Sequence, residues 1–168
     1  NWFEPYEATE TAGRSILAFE NGRIERDRHG CHWFDAGNRL ELHGQTFSDV
    51  FTVSIPKQQG VDCDCHYRHE LVKATGFING VPVEGYLHQD YAYAPDGKVW
   101  TETAIPRLIQ GMWVSWVHEF ADGGLGGGCF WQGRNGLSFG PGYQVKQGVT
   151  TVHDDVVAVP SFDADNRI

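Results

Sequence analysis

Apolar and polar residues alternate along much of this chain with a period of two, the period of a strand that has one covered face. The clearest run follows Asn79-Gly80. There Val81, Val83, Gly85, Leu87, Gln89, Tyr91 and Tyr93 fall on one side, and Pro82, Glu84, Tyr86, His88, Asp90 and Ala92 on the other. Asn-Gly readily supplies the two positive φ angles of a type I′ turn, so residues 65–78 and 81–93 are predicted to pair as a hairpin. The same reasoning places strands at 15–20 and 23–28 around Asn21-Gly22, and at 31–35 and 39–43 around Ala36-Gly37-Asn38. Residues 50–55 alternate cleanly, with Phe51, Val53 and Ile55 on one face, and stop at Pro56.

Further along, Pro95-Asp96-Gly97 turns the chain into a strand at 98–104, and only residues 106–111 suggest a short helical turn. Residues 112–120 alternate with Trp on both faces, which predicts a strand covered on both sides, turned by Ala121-Asp122-Gly123-Gly124. Residues 129–132 and those from 137 onward pair around 133–136, and strands at 144–146, 149–153 and 156–160 finish the chain. Residues 1–13 are left as an N-terminal arm carrying Trp2, Phe3 and Tyr6. The sum is an all-β protein with little helix. It reads as one domain over 1–168, a single antiparallel β-barrel of roughly eight to ten strands, because closure removes exposed edges.

Composition sharpens this picture. Six Trp, six Tyr, ten Phe and 21 Gly in 168 residues suit short strands, tight turns and an aromatic-lined interior. A net charge of −9 argues against nucleic acid or an anionic membrane as partner, since both are held by Lys and Arg. No apolar run reaches the length of a membrane span, and the acidic N-terminal stretch is unlike a signal peptide. Cys31, Cys63, Cys65 and Cys129 make no disulfide framework, so reduced thiols and a cytoplasmic location are expected. The glycines at 126–128 precede no helix, which excludes a phosphate loop.

Chemistry concentrates between Gly60 and Glu102. Glu84, Tyr86, His88 and Asp90 share one strand face, either as a solvated surface or as the polar lining of a cavity, where burial would be justified only by binding or proton transfer. His88-Gln89-Asp90 also has the His-x-Asp spacing of non-haem iron dioxygenases, with His118 or His153 as the third ligand. Cys63, Cys65, His66, His69 and Glu70 are metal-capable, but alternation puts Cys63, Cys65 and His69 on a different face from His66 and Glu70. Glu84 with Glu102 could form a carboxylate pair for glycoside hydrolysis. No Gly-x-Ser-x-Gly elbow is present.

From about Phe51 to Ile168 the order of landmarks resembles the lipocalin-like, calycin-type proteins related to carotenoid hydratases and natural-product cyclases. The matching residues are Gly76, Gly80, Glu84 and Gly85, then His88 and Asp90, Trp113 and Trp116 with Asp122-Gly123, Gly142-Tyr143 with Gln147-Gly148, and Asp163-Ala164-Asp165. Where that family continues with a Ser-Trp-Gly-like run, this chain has Tyr91-Ala92-Tyr93-Ala94. The resemblance implies a hydrophobic-ligand barrel with His88 and Asp90 near the pocket. The expected activity is that of an isomerase, cyclase or hydratase without cofactor or metal, acting on a terpenoid or polyketide-like molecule. His88 would act as acid or base, Asp90 would orient it, and Tyr86 or Glu84 would supply a second proton-transfer group. Trp100, Trp113, Trp116, His118, Trp131 and Tyr91 are the expected ligand contacts, with Trp33 and Phe130 as further wall residues. The alternatives are a binding protein without catalysis and the iron dioxygenase. A homodimer is left open.

Overall fold

The computed structural model describes residues 6–57, 62–93, 103–104, 112–132, 141–154, 156–159 and 161. Among them every regular element is a strand, and all registered pairs are antiparallel. The strands are β1 (Tyr6–Thr11), β2 (Arg14–Phe19), β3 (Gly22–Arg26), β4 (Gly30–Asp35), β5 (Leu40–Thr46), β6 (Phe51–Ile55), β7 (Cys65–Ile78), β8 (Val81–Tyr93), β9 (Met112–Glu119), β10 (Leu125–Gln132), β11 (Gly142–Lys146) and β12 (Val149–His153). No helix among the described residues is long and apolar enough to cross a membrane. The expected helical turn at 106–111 lies outside the described residues, as do residues 1–5 and most of the expected strand at 98–104. The chain packs as two compact units, residues 1–50 with 70–89, and residues 51–69 with 90–168.

In the first unit, β1 to β5 form a meander in which each strand pairs with the next, and β5 then pairs with the second half of β7. β8 pairs β7. Between them Asn79 (φ 54) and Gly80 (φ 78) adopt the two positive angles that the sequence predicts. Leu17, Ile24, Trp33 and Leu42 form one row across β2–β5, and Cys31, Ala74 and Val72 are buried on the same side. Glu25, His32, His43 and Thr75 form a row on the opposite face. The buried Glu25 is held there by Arg14 and Arg23, and the buried Glu70 by Arg26.

Three expectations are corrected. Residues 6–11 are a strand paired with β2, where the reading left an arm; Ala12 (φ 33) and Gly13 (φ 84) make the turn. The β2–β3 loop is Glu20-Asn21, because Phe19 pairs with Gly22. Gly22 is needed for close approach instead, since a Cβ there would collide with the Phe34 carbonyl oxygen. Residues 156–159 are not a strand.

In the second unit, β6 pairs with the first half of β7, and β12-β11-β10-β9 form a sheet. Phe51, Val53 and Ile55 are buried while Thr52 and Ser54 are exposed, as the alternation predicts. With Cys65, Tyr67 and His69 they face the side of the sheet that carries Cys129, Trp131, Tyr143 and Val145, giving a two-layer core. β9 is less covered than its two Trp faces suggest, since Trp113 is exposed and Trp116 half-buried.

Candidate functional site

The β9–β12 sheet presents its two faces to different environments, and both carry chemistry. Register puts Trp116, Gly128, Gln144 and Thr151 in one row, with Val114 opposite Phe130 and Gly142 opposite His153 beside it on the same face. This face carries a groove of about 330 Å³ lined by Trp116, Phe130, Gln144, His153 and Val156 among others. Gly142 is part of its lining, and Gly128 lies under the Trp116 ring. A Cβ on Gly128 would fall 2.5 Å from the Trp116 ring, and one on Gly142 would fall 2.8 Å from both Phe130 and Val156. The glycine run therefore serves ring packing, with Trp116 laid over Gly128 and edge-to-face with Phe130 at 6.3 Å.

On the other face lies a buried polar network. His69 is fully buried, with Nδ1 2.6 Å from the Tyr143 hydroxyl and Nε2 3.4 Å from the Ser115 hydroxyl. Both ring nitrogens are thus engaged, which holds the imidazole in place without solvent. Tyr143 packs on Phe51 at 4.7 Å, and Tyr67 on Trp131 at 3.8 Å. Burial pushes the Cys129 thiol up to about 12 against the opposing pull of Trp113 and Tyr67, and raises the Tyr67 phenol beyond its ordinary value. The Cys129 thiol and the Tyr67 phenol thus hold their protons at neutral pH, and the His69–Tyr143 bond ties β7 to β11.

Glu84, Tyr86, His88 and Asp90 share one face of β8 as the alternation predicts, and all four are exposed. Glu84 is bonded to Lys73 at 2.9 Å, and Tyr86 meets the edge of Phe47 at 6.3 Å. Of the expected ligand contacts, Trp116 lines the groove, while Trp131 is buried on the opposite face. Trp113 pairs with Trp131 across the strands and meets the edge of His69 at 6.4 Å. His118 stands over Gly126 and against Phe120 at 4.6 Å. Tyr91 is half-buried on β8, the wall residue Trp33 belongs to the first unit, and Trp100 and Glu102 lie outside the described residues.

The contribution of His153, Gln144 and Val156 to a groove was not read from the sequence, although the Gly-Tyr landmark at 142–143 is part of its lining. Comparison with models of protein families, with curated proteins and with solved structures finds no match to this chain.

Proposed function

We propose that the chain binds an apolar small molecule in the groove on the β9–β12 sheet. The observation that carries this reading is the groove itself, an open hollow of about 330 Å³ lined by Trp116, Phe130 and Gly142, with Gln144 and His153 as its polar groups. Ligand pockets start at about 300 Å³ and combine apolar walls with a few polar groups that fix orientation, so the occupant is compact, one or two rings in size. Binding without catalysis is favoured over acid–base chemistry. Tyr143 turns its hydroxyl to His69 on the opposite face and burial keeps the Cys129 thiol protonated, which leaves His153 as the remaining titratable side chain lining this groove among the described residues. The isomerase, cyclase or hydratase reading rests on His88 and Asp90 and requires a ligand held over the exposed face of β8. A calycin-type barrel remains part of the proposal, supported by the up-and-down order of β1 to β5 and by the landmarks quoted above.

Titration with the neutral fluorophore N-phenyl-1-naphthylamine tests the proposal. Saturable enhancement is expected, and Trp116→Ala should weaken it about tenfold by removing an aromatic wall. Linear, unsaturable signal would sink the groove reading. A substrate whose turnover is lost in His88→Ala while its affinity holds would replace the binder by an enzyme.

A further inference from the structure

The first unit holds a second constellation, whose argument does not depend on the groove. We propose that His32, Glu41 and His43 form a binding site for a first-row divalent cation, with Zn²⁺ as its first candidate. The three side chains come together through sheet register. His32 and His43 are directly opposed on β4 and β5, and Glu41 lies two residues before His43, so all three project from one face.

The geometry is that of ligands rather than of hydrogen-bonded neighbours. Glu41 Oε1 is 3.4 Å from His32 Nε2 and 3.5 Å from His43 Nε2, and the three ligand atoms all lie within 4.8 Å of one another. Hydrogen bonds between such groups run at about 2.7–2.9 Å. Two ligand atoms each about 2.1 Å from an ion, at a tetrahedral angle, stand about 3.4 Å apart. The imidazoles are stacked at 4.2 Å with an interplanar angle of 8°. Coordination by both nitrogens requires the exposed His43 ring to turn out of this stack, because an imidazole lone pair lies in the plane of its ring.

His32 Nε2 supplies a separate indication. It is buried and has no hydrogen-bond partner. A buried nitrogen left in that state carries a desolvation cost that a metal ion would remove. His43 and Glu41 are at the surface, with side-chain exposures of 62% and 47%, so an ion can enter without unfolding the sheet.

Two imidazoles and a carboxylate suit Zn²⁺ or a neighbouring transition metal and disfavour Ca²⁺ and Mg²⁺, which take oxygen ligands. Three protein ligands leave a coordination position open, as in zinc sites that carry an exchangeable water. His32 and His43 also line a polar cleft of about 380 Å³, together with Arg14, Glu25 and Asp27.

Calorimetric titration of the untagged full chain with ZnCl₂ is the test. One saturable site of micromolar or tighter affinity is expected, with His43→Ala and Glu41→Gln each lowering the affinity about tenfold or more. The metal-free melting temperature should be unchanged in both, because these side chains are exposed. Co²⁺ should give the visible absorption of a nitrogen- and oxygen-ligated ion in the parent chain and lose it in His32→Ala. The absence of saturable binding overturns the proposal. So does a set of three variants that bind Zn²⁺ as the parent does.

Discussion

Burial at single residues sets how this protein responds to alkali. The Cys31 and Cys65 thiols are pushed up to about 11 and Cys129 to about 12, in each case mainly by removal from water. A thiol with a raised folded-state pKa holds its proton more tightly folded than unfolded. Its stabilising contribution is therefore complete below the unfolded value, near 9, and declines as pH rises towards the folded one. Melting temperature should fall from about pH 9 upward, at a cost of roughly 1–4 kcal/mol per thiol. Cys31→Ala should show a shallower fall; an unchanged slope would show that Cys31 does not contribute. The Arg26–Glu70 pair belongs to the same scale. Glu70 is 2% exposed, so Glu70→Gln removes the carboxylate that offsets a part-buried guanidinium. Chemical denaturation should report a loss of about 3–5 kcal/mol, and a value near zero would show that water already reaches the pair.

Turn chemistry and strand glycines govern the elements. Asn79-Gly80 was readable in advance because a type I′ turn demands positive φ at both positions, and Gly80→Ala should cost about 1–2 kcal/mol for placing a Cβ there. Gly128→Ala tests a different constraint. The added methyl would meet the Trp116 ring and the Tyr143 carbonyl, so the ring must swing out of the groove. Stability should fall by about 1–3 kcal/mol, with lower probe affinity; unaltered affinity would mean that Trp116 does not shape the groove. The histidine pair illustrates how small an error hides a site. With Asp35 opposite Arg39, as a loop of 36–38 implies, His32 would face Leu42. The loop in fact takes in Arg39, which adopts φ 50, so Asp35 pairs with Leu40 and His32 with His43. Asp35 closes that loop by accepting from the Asn38 backbone and side-chain amides, which hold its carboxyl below the usual range.

At the scale of the whole molecule, the two units are interleaved in sequence. Residues 51–69 belong with 90–168, and residues 70–89 with 1–50. A fragment of residues 1–89 therefore keeps the strands of the first unit while removing the β9–β12 sheet that covers Phe51, Val53 and Tyr67. In hydrogen exchange on that fragment, β2 to β5 should retain protection while residues 51–69 lose it. Protection persisting at 51–69 would show that β6 does not depend on that sheet.

Sequence alone determined the all-β class, the β7–β8 hairpin, the buried face of β6 and the common face of Glu84, Tyr86, His88 and Asp90. All of these follow from strand alternation and turn chemistry, which act over a few residues. Only tertiary structure decided which faces are covered, because cover comes from segments far away in the chain. His69 meets Tyr143 across 74 residues and Arg26 meets Glu70 across 44, and no local pattern records either partner. The same reason left the face of β8 ambiguous between cavity and solvent. A polar row on a strand reads alike in both settings until the layer opposite it, or its absence among the described residues, is known.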